Sequence, residues 1–242
     1  MKKIVAYPLS FCFYFLFGLV LCFFHPILWV GYKISPNSLD RCVSVLNLFL
    51  IRLLLVLGIR VSIEKPSLEK NRPYIIVANH QSTFDIPPIL WFLRDLHPKF
   101  ISKKELGKGI PSVSFNLRYG GSVLIDRKDS IQSIKAIRNF AVATYSKGHS
   151  AVIFPEGTRS KNGRAKSFRP SGLKVLLKHM PNALVLPITI NHSWKTMQYG
   201  SFPMGICAHI QLKVHAPVAT KDIAVNEVIE AVEKTIKGSI VA

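Results

Sequence analysis

The chain opens on an unbroken apolar stretch. Residues 4–32 contain no Asp, Glu, Lys or Arg, with Lys2 and Lys3 before them and Lys33 and Arg41 after. A helix needs about 20 apolar residues to cross the hydrocarbon core of a bilayer, so the stretch is long enough to span. Pro8 and Pro26 interrupt it, and proline inside a helix removes a hydrogen bond and kinks the axis. A kinked helix lying within one leaflet therefore competes with a spanning one. No small-residue cleavage site closes the run, which argues against a cleaved signal peptide. A second apolar run, residues 43–61, is broken by Arg52 and Arg60. With Arg52 near its centre it is a poor span. It fits an interfacial helix, or the returning arm of a hairpin that lets its arginines reach the headgroups. Residues 1–60 are thus expected to form a membrane-associated helical segment.

Beyond about Val61 the pattern changes to short runs rich in Ile and Val, alternating with longer amphipathic ones. Residues 74–78, 99–102, 122–125, 151–154, 184–190 and 209–214 fit strands. Continuous apolar character in 74–78, 151–154 and 184–190 suits strands buried on both faces. Residues 130–146 place Ile131, Ile134, Ile137, Ala141 and Tyr145 near one helical stripe, with Ser130 as a cap and Gly148 just past the end. Residues 223–236 repeat the device with Val225, Val228, Ile229, Val232 and Ile236. Residues 64–72 fit a polar linker. Alternating strands and helices predict an α/β fold, a mostly parallel mixed sheet flanked by helices, over residues 61–242.

Length and charge narrow the partners. A chain of 242 residues can bury one substantial core. It carries 32 Lys and Arg against 13 Asp and Glu, a formal charge of +19. Such an excess suits nucleic acid, anionic lipid or a phosphorylated ligand. The mean hydropathy of +0.27 and the absence of a basic run interleaved with aromatics argue against nucleic acid and for a membrane surface. Cys12, Cys22, Cys42 and Cys207 show neither a CxxC pair nor metal-ligand spacing.

Two segments carry candidate chemistry. In Asn79-His80-Gln81-Ser82-Thr83-Phe84-Asp85 a histidine follows a buried strand and an aspartate lies five residues on. Residues five apart in one helix point about 140° from each other. The two can meet only if His80 lies in the turn before a helix capped by Ser82 or Thr83. Asp85 would then hold one imidazole nitrogen while the other takes a proton. There is no G-x-S-x-G nucleophile elbow, so that proton belongs to a substrate. The second segment, Phe154-Pro155-Glu156-Gly157-Thr158-Arg159-Ser160, follows another strand. Gly157 permits a tight turn, and Arg159 offers a fork suited to phosphate. Glu156 can orient that arginine or bind a substrate hydroxyl. Arg127, Lys103 and Lys104 also follow strands, and basic groups at several strand ends converge on one crevice.

These residues resemble the glycerolipid acyltransferase family, in four ordered blocks: residues 79–85, Gly121-Ser122-Val123-Leu124-Ile125-Asp126-Arg127, residues 154–160, and Leu184-Val185-Leu186-Pro187-Ile188-Thr189-Ile190. The resemblance implies that His80 is the general base, Asp85 its partner, and Arg127 and Arg159 contacts to phosphate. It implies that Glu156, Gly157 and Thr158 shape the acceptor pocket, that Lys103 lies near the phosphate, and that residues 4–60 embed in the membrane. The activity implied is transfer of a fatty acyl group from acyl-CoA or acyl carrier protein to the sn-2 hydroxyl of 1-acylglycerol 3-phosphate. The enzyme would sit on the inner membrane with its catalytic domain facing the cytosol. No metal or cofactor is implied. One departure points to a different lysolipid acceptor, such as a lyso-ornithine lipid. Where the family shows Phe-Lys-x-Gly, Phe168-Arg169-Pro170-Ser171-Gly172 is one residue longer. A non-catalytic anionic-lipid or nucleic-acid binder is the alternative from another class. Residues 194–205 match no motif and fit either a loop touching acyl chain or membrane, or ordinary packing.

Overall fold

In the computed structural model, which describes residues 2–70 and 72–241, seven strands form one sheet. They are β1 (Arg60–Glu64), β2 (Tyr74–Ala78), β3 (Pro98–Lys103), β4 (Val123–Ile125), β5 (Ser150–Ile153), β6 (Leu184–Asn191) and β7 (His209–Val214), in the order β1-β7-β6-β2-β5-β3-β4. From β6 to β4 the strands run parallel; β7 is antiparallel to β6, and β1 is parallel to β7. The helices are α1 (Lys2–Ile34), α2 (Pro36–Leu53), α3 (Ile86–Phe92), α4 (Val113–Tyr119), α5 (Ser130–Ser146), α6 (Pro170–His179) and α7 (Val225–Gly238). The mostly parallel mixed sheet flanked by helices is as the alternation predicts.

Strand periodicity divides the core. Tyr74, Ile76 and Ala78 of β2 pack into one cluster with Phe13, Leu54, Leu57, Phe84 and Ile89. Their neighbours Ile75 and Val77 point to the opposite face and meet Ile137, Phe140, Leu173, Leu176 and Val232. One face of the sheet is therefore covered by α1, α3 and the segment after α2, the other by α5, α6 and α7. All of β2 and β5 is buried, whereas β7 alternates exposed and buried residues. This matches central strands covered on both faces and a flank open on one.

Four local expectations change. The strand β1 lies where the chain was read as the end of an apolar run followed by a linker. Its residues alternate between exposed and half-buried at the sheet edge, so no apolar signal sets them apart, and the break comes from Gly58 in the left-handed region (φ 65°). The helix α5 is capped by Asp129, whose carboxylate accepts from the Gln132 N–H at 2.9 Å; Ser130 is already inside it. Its buried face is Ile137, Phe140, Ala141 and Thr144, while Ile131 is 81% exposed. The helix α6, introduced by Pro170 in its first turn, and the seven-residue α4 had no predicted counterpart.

The N-terminal run is one continuous helix of 33 residues despite Pro8 and Pro26, about 50 Å long. It is apolar and long enough to cross a membrane. The second run returns beside it as α2, closing a hairpin with a shared core of Leu21, Phe24, Leu28, Leu39, Val43, Leu46 and Leu50. Contacts to the sheet domain occur along most of α1. Ser10 Oγ accepts from the Met204 N–H (2.8 Å), Tyr14 donates to the Ser201 carbonyl (2.6 Å), and Ser112 donates its hydroxyl to Leu21 and its N–H to His25 Nδ1. Tyr32 meets Phe115 edge-on and Tyr119 at a tilt. The opposite face leaves Phe11, Phe15, Phe23 and Trp29 more than half exposed. Residues 194–205 divide between the two readings left open for them: Met204 is fully buried, and Phe202, 51% exposed, lies against Tyr7 and Tyr14 beside that face.

A polar clasp ties α2 to the sheet. Asp40 accepts from the buried Lys99 ammonium at 2.6 Å and from His97 Nδ1 at 3.0 Å. His149 stacks on His97 with centroids 4.9 Å apart. Its pKa is lowered to about 4, first by burial and then by the Lys99 charge. The donor atoms of Asp40, His97 and His149 lie within 4.8 Å of one another, but the Lys99 ammonium already occupies Asp40 and repels a cation. Asp40→Ala would leave the Lys99 charge buried without a partner. It should lower the unfolding free energy by about 3–5 kcal/mol in chemical denaturation, and Lys99→Met in the same chain should restore most of the loss.

Candidate active site

Parallel register sets the site. Val77 of β2 pairs with Ile153 of β5, so both strands leave the sheet at the same level and His80 and Glu156 each follow three residues later. Lys103 of β3 pairs with Ile125 of β4, two residues before Arg127. These four strands are adjacent, and parallel pairing puts all their C-terminal ends on one edge. Asn79 fixes the third neighbour. Its side-chain amide donates to the Ile190 carbonyl (2.8 Å) and accepts from the Ile190 N–H (2.7 Å), clamping the end of β2 to β6.

His80 lies in the turn after β2, and Asp85 ends a short 3₁₀ turn, Thr83–Asp85, capped by Ser82 and leading into α3. Because the histidine precedes the helical turn, the two side chains meet. Imidazole Nδ1 donates to Asp85 Oδ2 at 2.8 Å, since a carboxylate can only accept, and Nε2 remains to take a proton. The Gln81 and Ser82 N–H groups donate to the same Oδ2 (2.7 and 2.8 Å), and the Ser193 hydroxyl donates to Oδ1 at 2.5 Å. Asp85 is fully buried and the His80 side chain 15% exposed. The imidazole lies flat against Phe154, with centroids 4.2 Å apart and planes 18° from parallel.

Glu156 joins the two motif turns. Its buried carboxylate accepts from the His80 N–H (2.8 Å) and the Lys166 N–H (2.8 Å), while the Ser160 N–H donates to the His80 carbonyl (2.8 Å). Burial pushes the Glu156 pKa up, against the pull of those two N–H donors. Gly157 is in the left-handed region (φ 71°), and the space beside it is taken by the Arg169 side chain.

The basic residues gather around this turn. Arg159 is exposed and donates to Thr83 Oγ1 (2.6 Å) and Met197 Sδ (3.3 Å), so its guanidinium stands over the turn holding His80 and Asp85. Arg127 donates to the Gly157 carbonyl; its pKa is lowered first by burial and then by the neighbouring Arg169 charge. The exposed Thr158 hydroxyl accepts from the Lys166 ammonium at 2.7 Å. Lys103 is exposed at the end of β3, and Lys104 pairs with Asp126. Arg169, in the longer segment where the family match departs, precedes α6 and donates its backbone N–H to Pro155. The added residue therefore leaves it in the cluster.

Three contributors were not singled out from the sequence, although Gln81 and Phe154 lie within the family blocks. Phe154 was read as a strand end, although its ring backs the imidazole. Gln81 sends its amide to the Gly163 carbonyl, and Ser193 reaches Asp85 from 108 residues away; neither has a spacing that marks it. The completed arrangement is a buried carboxylate, an oriented imidazole and several guanidinium and ammonium groups on one sheet edge. Chemically, such an arrangement on an α/β sheet edge can accept a proton and hold an anion.

Known proteins resemble this chain in sequence and in fold. The acyltransferase family model matches residues 59–191, and the chain belongs to that family. It is 33% identical over 159 residues to a chloroplastic 1-acyl-sn-glycerol-3-phosphate acyltransferase of Arabidopsis thaliana, covering 64% of this chain and 42% of that one. It is 36% identical over 143 residues to a 1-acyl-sn-glycerol-3-phosphate acyltransferase of Helicobacter pylori (strain J99 / ATCC 700824), covering 55% and 57%. The chain thus spans roughly half the length of these curated relatives. Likeness to a solved structure is more extensive. The crystal structure of the 1-acyl-sn-glycerophosphate acyltransferase PlsC from Thermotoga maritima superposes with a TM-score of 0.82 at 28% identity, covering 98% of this chain and 95% of that one.

Glu156→Gln would set an NH₂ against one of the two N–H groups its carboxylate now accepts. The variant should lose about 1–3 kcal/mol of stability in thermal or chemical denaturation, with a fall in turnover as His80 loses its backbone tether.

Proposed function

We propose that the protein is an O-acyltransferase that moves a fatty acyl group from a thioester donor, acyl-CoA or acyl carrier protein, to the sn-2 hydroxyl of 1-acylglycerol 3-phosphate, giving phosphatidic acid. The observation that carries this reading is the His80–Asp85 pair lying under the Arg159 guanidinium on one sheet edge. His80 Nε2 takes the proton of the acceptor hydroxyl, whose oxygen bonds to the thioester carbonyl carbon. The tetrahedral intermediate collapses with cleavage of the C–S bond, and the thiolate leaves with the proton returned from His80. Asp85 keeps Nδ1 protonated and stabilises the transient imidazolium. Arg159, Arg127 and Lys103 hold the acceptor phosphate, with Thr158, Glu156 and Gly157 shaping the turn beneath it. The names of the relatives and of the solved neighbour support this choice of reaction and acceptor.

The helical segment 1–60 serves as the membrane anchor of the catalytic domain 61–242. Because α1 touches that domain from Ser10 to Tyr32, we favour a hairpin lying in one leaflet of the inner membrane, with the site opening on the cytosolic side. The exposed Phe11, Phe15, Phe23 and Trp29 face acyl chains there, and the basic surface meets anionic headgroups.

Thiol release from acyl-CoA, measured with and without lysophosphatidic acid, tests the reaction directly. His80→Ala should lower turnover by about 10²–10⁴-fold with an unchanged unfolding transition; wild-type turnover in that variant would remove the mechanism. Arg159→Ala should raise the KM for lysophosphatidic acid by about tenfold or more and leave the KM for acyl-CoA within twofold. An unchanged acceptor KM would remove the phosphate role.

A further inference from the structure

We propose that Ser193 is a positioning residue for the transfer, acting through Asp85; the inference rests on the reading of His80 and Asp85 as the catalytic pair. The two carboxylate oxygens of Asp85 are held differently. Oδ2 accepts from three donors of its own turn, the Gln81 and Ser82 N–H groups and His80 Nδ1. Oδ1 accepts from Ser193, 2.5 Å away and fully buried like Asp85 itself. Local chain geometry therefore holds Oδ2, whereas Oδ1 is met by a residue beyond β6.

The Ser193 hydroxyl has one proton and two acceptors within reach. Gln81 Oε1 lies at 3.4 Å, and its orientation is fixed because the amide nitrogen donates to Gly163. The nearer Asp85 carboxylate oxygen accepts the hydrogen bond, since bonds to charged acceptors are the stronger. The serine is itself well placed. His192 before it is in the left-handed region (φ 63°), the Ser193 carbonyl accepts from Thr196 Oγ1 (2.7 Å), and Thr196 Oγ1 in turn meets Ser82 Oγ (2.7 Å). The turn after β6 thus grips both the cap and the carboxylate of the catalytic turn. Among the acidic groups, Asp85 holds the imidazole and Glu156 the backbone N–H of His80, with the Arg159 guanidinium over the same turn. Without the Ser193 bond Asp85 Oδ1 loses its donor while still buried, so the carboxylate shifts toward other donors and loosens its hold on the ring.

The test compares Ser193→Ala, Ser193→Cys and His80→Ala in the purified full chain, using lysophosphatidic acid and the thioester donor that supports the wild-type rate. Ser193→Ala should lower kcat by about 10- to 100-fold, the loss of one hydrogen bond to a charged group, with both KM values within twofold of wild type. Ser193→Cys, which keeps a weak donor, should fall between the two. Wild-type kcat in Ser193→Ala, KM values that move with kcat, equal impairment of the alanine and cysteine variants, or failure of both to fold would each overturn the proposal. His80→Ala separates the levels: wild-type activity there removes the catalytic pair, whereas an inactive His80→Ala beside an unaffected Ser193→Ala removes only the role of the serine.

Discussion

A carboxylate shut away from water must be met by donors on every side, and Asp85 imposes that demand on the structure around it. An ionised group without compensation would cost many kcal/mol to bury. The donors come from Gln81 and Ser82 just before its 3₁₀ turn, from His80 and from the turn after β6. Meeting them requires that β2 and β6 end together, which the Asn79–Ile190 clamp secures. It also requires that the His80 backbone be held while its side chain turns toward the acid, a task Glu156 performs from β5. The imidazole orientation is thus the outcome of three strand ends meeting, with Phe154 closing the remaining side.

The same edge manages its positive charge by a different rule. Asp85 and Glu156 are buried with at least one donor on each carboxylate oxygen, whereas Arg159, Thr158 and Lys103 are exposed. Arg169 approaches Arg127 closely enough to disfavour its charge, and the Arg127 acceptor is a backbone carbonyl rather than a carboxylate. Cations in excess of the acids beside them leave a site whose natural complement is an anion. Lys104 differs, being paired with Asp126, and so is removed from that pool.

The hairpin of α1 and α2 has two jobs on its two sides. Phe13 is buried in the sheet core and meets Phe84, the residue just before Asp85, edge-on with centroids 5.7 Å apart. Asp40 binds Lys99 at the start of β3. The apolar face left outward is continuous with the aromatic loop around Phe202. A helix that fits a bilayer by composition is therefore also a structural wall of the domain, and it stands one residue from the acid of the site.

Much of this was legible from residue order. Periodicity located six of the strands, because strands buried on both faces require continuous apolar runs. The five-residue spacing of His80 and Asp85 required a turn before a helix, and the family blocks named the basic residues. The sequence alone also determined the surplus of positive charge and the apolar N-terminus. It did not reveal the edge strand β1, whose half-exposed alternation resembles a linker, or the Asp129 cap of α5, where two capping residues stand side by side. Only the tertiary structure decided that Ser193 reaches Asp85, that Phe154 backs the imidazole and that Asp40 clasps Lys99. Each of these contacts joins residues far apart in the chain through strand order and register. Local spacing records which side chains a turn can bring together, but carries no information about which strand will lie beside it.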